Sequence, residues 1–272
     1  MQSKAFISGN RVEHYKYINP IRCGYSRGYS IERHEQLNDK RSANLLRAQR
    51  TVRQIIWANI GKYTKFLTLT YEKTVLDYET FSYNFLAFRK AMIRKGYKLK
   101  YLYVLERQKE RGEREGNEGC LHCHLVVFND EYIPYGIIRQ CWHYGNIDIH
   151  VLKGIRYKDN HNCHEKINDL AAYVSKYITK DTVALPGNRC FSCSVGLARP
   201  QVYRDECYIW DTGHGREGID NPETSSFFES LEYSTRFKFT VSNSWSYVSS
   251  DGVEYSNTLI YRQGSLLNAR SL

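Results

Sequence analysis

The sequence predicts an α+β fold: a central antiparallel sheet of about five strands with flanking helices, a basic helix before it and a β-rich extension after it. Three observations lead there. Segments with period-two alternation and β-branched or aromatic content recur at residues 65–71, 101–107, 121–128 and 146–152. Segments with apolar residues at three- and four-residue steps lie around and between them. Two of the strand segments, 101–107 and 121–128, are joined by one polar connection, as neighbours in an antiparallel sheet are.

Residues 1–32 are rich in Tyr, Arg and Gly without a sustained period and read as an irregular basic arm. From 33 to 59 the pattern turns helical, with Leu45, Ala48, Val52, Ile55 and Ile56 on one face and Lys40, Arg47, Arg50 and Arg53 on another. Gly61 ends this helix, and K-F-L-T-L-T-Y at 65–71 is the first strand. A second helix carries the stripe Phe81, Phe85, Phe88, Met92 and stops at Gly96.

The second strand, 101–107, leads into the glycine-rich charged loop 108–119, and L-H-C-H-L-V-V-F at 121–128 forms the third. Residues 146–152 alternate again as a fourth strand. After a polar loop, Asn168 or Asp169 caps a helix running to about Lys180, and a short strand is expected near 190–195. Short Tyr, Phe, Thr and Val-rich stretches in 207–272 read as β-rich. The expected organisation is therefore a basic arm and helix at 1–60, a central domain at 61–205 and an extension at 206–272.

Charge is unevenly placed. The chain carries 39 Lys and Arg against 29 Asp and Glu, net +10. Residues 1–110 hold 22 basic and 9 acidic side chains, whereas 111–272 hold 17 and 20. A polyanion-binding surface built mostly from the first half would produce this asymmetry, since neutralising phosphates releases counterions. The 23 Tyr and 11 Phe supply faces on which unpaired bases can stack. No apolar stretch follows Met1 and no run is long enough to span a bilayer, so the chain is expected to be cytoplasmic. Its eight cysteines are too sparse for a disulfide-built fold and are expected to be thiols, packed or metal-bound.

Chemistry concentrates in three places. On a strand, side chains two apart share a face, so His122 and His124 project together while Cys123 and Leu125 face the other way. Glu106, on the face shared with Leu102 and Val104, is brought beside them by antiparallel pairing. Two imidazoles and a carboxylate leave coordination positions open on a divalent ion that must also grip a phosphate oxygen. On the capped helix, Tyr173 and Tyr177 lie about 40° apart on one face with Lys176 and Lys180 beside them. A phenol has a pKa near 10 and is a poor nucleophile at neutral pH until neighbouring charge favours the phenolate. Adjacent ammonium groups and a polarised phosphate supply that help.

Phe66 to Tyr71, Leu121 to Phe128 and Tyr173 to Lys180 together resemble the three ordered motifs of the HUH endonucleases that initiate rolling-circle replication. The doubled tyrosine with an intervening lysine is most similar to the replication proteins of small single-stranded DNA bacteriophages and of many plasmids and integrated elements in Firmicutes. The resemblance covers roughly residues 60–200. It implies His122 and His124 as metal-binding histidines and Glu106 as the acidic third ligand, although the loop after Glu106 is longer and more charged than the pattern leads one to expect. It implies Tyr173 as the first nucleophile and Tyr177 as the second, with Mg²⁺ or Mn²⁺ as cofactor.

It further implies an origin hairpin in single-stranded DNA as substrate, a 5′ phosphotyrosine linkage and a 3′ hydroxyl for a polymerase. No P-loop motif is present, so unwinding would fall to a host helicase. Lys180, Lys40, Arg47, Arg50 and Arg53 are the expected DNA-binding cations.

Two rivals remain open on sequence grounds. Within the same superfamily stand a conjugative relaxase and a single-strand transposase. A zinc-binding nucleic-acid module is raised by Cys120-x-x-Cys123 and Cys190-x-x-Cys193, although 66 residues separate Cys123 from Cys190 where a zinc ribbon has about 15–20. The loop cluster His150, His161, Cys163 and His164 is read as structural.

Overall fold

The computed structural model describes residues 3–19, 35–108, 119–152, 163–167, 169–178, 191–205, 208–211, 216–219, 222–248 and 254–267. In chain order the first elements are β1 (Ser3–Ser8), β2 (Arg11–Tyr17), α1 (Glu35–Asn59), β3 (Lys65–Leu69), α2 (Tyr78–Arg94) and β4 (Tyr101–Gln108). Then come β5 (Cys120–Val127), α3 (Tyr135–Cys141), β6 (Ile147–Leu152), β7 (Cys163–Ile167), α4 (Leu170–Ser175) and β8 (Phe191–Cys193). The last are β9 (Gln201–Arg204), β10 (Tyr208–Asp211), β11 (Arg216–Ile219), α5 (Pro222–Ser234), β12 (Thr235–Val248) and β13 (Glu254–Leu266). Among the described residues no helix is long and apolar enough to cross a membrane.

The fold is α+β, with a sheet between helices, and the chain divides into two compact units, residues 32–198 and residues 1–31 with 199–272. This division differs from three consecutive segments. Helix α1 belongs with the sheet that follows it, because its apolar face is buried there; the first strands belong with the last ones, because they pair.

In the unit of residues 32–198 the sheet order is β7-β6-β3-β5-β4-β8, antiparallel throughout except for the parallel pair β6 and β7. That is six strands; β7 is formed by C-H-E-K-I, whose polar composition reads as loop in the sequence. Strand β3 lies in the middle and is buried on both faces, so all five of its residues are inside. One face, with Leu67, Leu69, Tyr103, Leu105, Cys123 and Leu125, packs against Phe81, Phe85, Phe88 and Met92 of α2 and Ile138 of α3. The expected stripe of α2 is thus core, each fully buried side chain stabilising by about 1.5–3 kcal/mol.

Asp77 caps α2 by accepting from Thr80 N–H at 2.7 Å, and Gly96, at φ 92°, follows its end. Gly119 also has a positive φ, 93°; a Cβ there would stand 2.4 Å from the Gln108 carbonyl oxygen, so the end of β5 can pass β4 only without a side chain.

The opposite face carries Phe66, Leu102, Val104 and Val126 and is covered by Val52, Ile55 and Ile56 of α1 and by Leu170, Ala171, Val174 and Ile178 in and after α4. The apolar face predicted for α1 is the one that packs. Gln49 of α1 also donates to the Ile178 carbonyl at 2.9 Å, tying the two helical segments together.

In the unit of residues 1–31 and 199–272 the sheet order is β12-β13-β2-β1-β9, antiparallel, with β10 and β11 as a separate two-stranded pair. Residues 3–17 are therefore a β-hairpin turning at Gly9 (φ 60°) and not an irregular arm. Residues 206–272 contain the 13-residue helix α5 besides their strands, opened by Pro222. Phe228 and Leu231 of α5 are buried against Ala5, Ile7 and Val12.

This unit buries a histidine, His14, only 1 % exposed, with its ring stacked on Phe228 at 5.3 Å. Arg262 donates to its Nδ1 from 2.9 Å and ion-pairs with Glu232, whose carboxyl the same guanidinium holds below the usual carboxylate range. Burial first, then the Arg262 charge, lower His14 to about 4. The unfolded chain binds a proton near the ordinary 6.5 while the folded chain does not. Stability is therefore complete above that value and falls as pH drops from about 6.5 to 4, by on the order of 3 kcal/mol. Urea titrations at several pH values should show this slope in the wild type and a flatter one in His14→Gln; equal slopes would reject the assignment.

Candidate metal and nucleophile site

The site grows from strand register. On the face of the first sheet that α1 and α4 cover, β5 sets His124 opposite Thr68 of β3 on one side and Val104 of β4 on the other, and sets His122 opposite Glu106. Below this level the face is apolar; at it, the side chains become polar and the covering helices give way to Tyr173 and Tyr177.

His124 is 4 % exposed and uses both ring nitrogens. Its Nε2 lies 2.7 Å from Glu106 Oε2, and its Nδ1 lies 3.3 Å from Thr68 Oγ1. Thr68 Oγ1 is also 3.0 Å from His150 Nε2 on β6, so one hydroxyl links two imidazoles across three strands. The proton arrangement follows from the tautomers, since a threonine hydroxyl donates one bond and accepts others. Cys123 points into the core on the other face, where burial pushes its thiol well above the ordinary range.

Asp169 caps α4 as expected, accepting from Ala172 N–H at 3.1 Å. The helix is shorter than expected, six residues ending at Ser175, with Lys176 as its C-cap. The chain then tightens: Tyr177 N–H donates to Val174 and Ile178 N–H to Ser175, i→i+3 bonds in place of i→i+4. The β-branched Val174, Ile178 and Thr179 weaken helix continuation here.

The two phenols still lie together. The Tyr177 ring stacks on the His124 ring at 3.6 Å and 14°. Tyr173 stands edge-on to Tyr177 at 5.5 Å and to Phe66 at 5.6 Å, and 6.2 Å from His150. Lys176 sets its Nζ 3.6 Å from the Tyr173 ring centre and 5.1 Å from that of Tyr177. Such a cation over ring faces contributes about 0.5–1 kcal/mol while exposed and holds the ammonium beside both hydroxyl-bearing rings.

The structure thus brings together Glu106, His124, Tyr173, Lys176 and Tyr177, and places His122 on the same face opposite Glu106. Among the described residues no three His, Cys, Asp or Glu side chains converge as a ready-made ligand group. An imidazole nitrogen facing a carboxylate oxygen, with a second imidazole on the same face, nonetheless fits a divalent cation in donor type and in register.

Of the expected DNA-binding cations, Arg47 is exposed on α1 and donates to Asn44, and Arg50 and Arg53 are half-buried on the same helix. Lys40 lies on α1 with its side chain outside the described residues, as does Lys180 altogether.

His150 is the residue that sequence reasoning sets aside as structural. Its only signal is the alternation of I-D-I-H-V, which puts Asp148 and His150 on one face of β6. Residues His161 and Cys190 of the sequence-level metal candidates lie outside the described residues. Cys120 and Cys123 pack in the α2 layer and Cys193 in the opposite layer, so the two C-x-x-C pairs do not face each other across a zinc position.

Residues 64–182, less than half of the chain, match the family model of the Replication-associated protein ORF2, a match consistent with a replication initiator of the Rep type. The matched segment contains β3, β4, β5, β6 and α4 and every one of the site residues just described. No curated protein and no solved structure matches the chain.

Proposed function

We propose that the chain is a site-specific nickase of single-stranded DNA that initiates and closes rolling-circle replication through tyrosine attack. The observation that carries this reading is the stacking of Tyr177 on His124, with Tyr173 and Lys176 alongside and Glu106 2.7 Å from the same imidazole. Potential metal ligands and potential nucleophiles share one end of one sheet face.

His122, His124 and Glu106 would hold Mg²⁺ or Mn²⁺, which when bound polarises a phosphate oxygen. The Thr68 bridge fixes the His124 ring by its Nδ1, as outer partners of ligating histidines do, and leaves Nε2 for ligation. Lys176 stabilises the phenolate of Tyr173 or Tyr177. The phenolate oxygen bonds to phosphorus as the bond from phosphorus to the 3′ oxygen breaks. The phenol proton passes to solvent, and the departing oxygen takes a proton to become a 3′ hydroxyl.

The linkage keeps the energy of the broken bond, so a 3′ hydroxyl returning to the site reverses the step and rejoins the strand. The second tyrosine allows a second cleavage before the first linkage is released. Arg47, Arg50 and Arg53, with Lys40 and Lys180, are assigned to phosphate contacts.

The test is a covalent adduct. Incubated with labelled single-stranded origin DNA and Mn²⁺, the protein should retain label through denaturation. Peptide mapping should place it on the segment holding Tyr173 and Tyr177. Cleavage without any adduct, or an adduct on another segment, would remove the reading.

A further inference from the structure

The second unit presents a sheet face that its own helix does not cover. Helix α5 lies on one face of the five-stranded sheet, over Ala5, Ile7 and Val12. The alternate residues face the other way. Across that face the register aligns Arg204, Lys4, Tyr15, Tyr261 and Val241 in one row, from β9 to β12. Neighbouring rows add Phe239, beside Tyr261 at 6.2 Å, and Trp245, edge-on to Tyr17 at 6.3 Å. Tyr15 and Tyr261 pack together at 4.8 Å.

Cross-strand aromatic pairs stabilise sheets, and that accounts for the half-buried tyrosines. It does not account for β12. On this outermost strand Phe239, Val241 and Trp245 remain 51 %, 45 % and 38 % exposed. An apolar row on a 14-residue edge strand gains little from folding and invites unwanted pairing. Such a row is retained for a partner.

Charge selects the partner. The described residues of this face carry Lys4, Arg11, Arg204 and Arg236, against Glu13, which is buried and accepts from the Tyr261 hydroxyl at 2.9 Å. Aromatic rings interleaved with cations, on a sheet face almost free of acid, match a ligand with flat π-faces and a phosphate backbone. A protein partner would be served as well by aliphatic side chains and would not call for the cations.

We infer that the face of this sheet opposite α5 is an accessory platform for single-stranded DNA, with Phe239 and Trp245 stacking on bases and Lys4 and Arg204 holding phosphates. The identity of the strand as DNA rests on the nickase reading; the binding surface does not. A platform of this kind would hold single-stranded DNA independently of the chemistry of the other unit.

The variants Phe239→Ala/Trp245→Ala and Lys4→Gln/Arg204→Gln test it in the full chain, with urea midpoints confirming the fold. Anisotropy of labelled oligothymidylate should show affinity falling on the order of twentyfold or more for the aromatic pair, with duplex binding unchanged. The charge pair should weaken binding and lower its salt dependence. Nicking at saturating oligonucleotide should stay at the wild-type rate in both. Wild-type affinity in the aromatic variant would overturn the platform, as would a shift of sedimentation from oligomer to monomer without loss of DNA binding. If the wild type never nicks yet the aromatic variant loses single-strand binding, the platform stands and the nickase reading fails.

Discussion

The Tyr173→Phe/Tyr177→Phe double variant is expected to fold normally, to bind divalent metal and single-stranded DNA as the wild type does, and to nick more slowly by on the order of 10⁴-fold or more. Phenylalanine keeps what the rings do in the fold. One ring stacks on His124 at 3.6 Å, and the other packs edge-on against Phe66 at 5.6 Å, with Lys176 over its face. Only the two hydroxyl groups are lost, and with them every nucleophile that the site offers.

The single variants should separate the roles. A reaction begun by either hydroxyl leaves partial nicking in each single variant, whereas one dedicated first nucleophile concentrates the loss in one of them. Single-turnover cleavage of labelled single-stranded DNA, with denaturing gels to count adduct, measures both. An adduct persisting in the double variant would show that the attacking group lies elsewhere.

What can be read from the sequence is what depends on local period. The alternation of L-H-C-H-L suffices to put His122 and His124 on one face and Cys123 on the other, and the stripes of α1 and α2 suffice to name the side chains that cover the sheet. Strand order is not local. His150 joins His124 only because β3 lies between β5 and β6 and offers Thr68 to both. Nothing in the residues around 150 announces that neighbour.

The same holds for the first hairpin. Its partner strands, residues 201–204 and 254–266, are nearly the length of the chain away, and the Tyr, Arg and Gly content of residues 1–32 masks a seven-residue alternation. The early end of α4 is hidden for another reason. Apolar spacing reports which face is buried and is blind to a switch from i→i+4 to i→i+3 bonding, so it puts Tyr177 on the right side of the chain but on the wrong kind of turn.

The network around Thr68 defines the second large effect. His124→Ala should reduce nicking by on the order of a thousandfold and weaken Mn²⁺ binding measured by calorimetry. Both nitrogens of this ring are engaged, Nε2 facing Glu106 and Nδ1 facing Thr68, and its face supports Tyr177. Removing it takes away a donor, loosens Glu106 and withdraws the surface on which one phenol rests.

His124→Gln, which restores bulk and a polar end, separates these contributions. It should recover stability in urea and little of the metal affinity. Thr68→Val keeps the shape of β3 and every metal donor but breaks the bridge from His124 to His150, so its loss should be smaller, about 10–100-fold. It should also appear in Mn²⁺ affinity and be mirrored by His150→Ala. The order His124→Ala, then Thr68→Val, then wild type is what a ligand held by an outer partner requires. Metal-dependent nicking that survives in both His124 variants would place the cation away from β5, and the stacked Tyr177 would then be a packing residue.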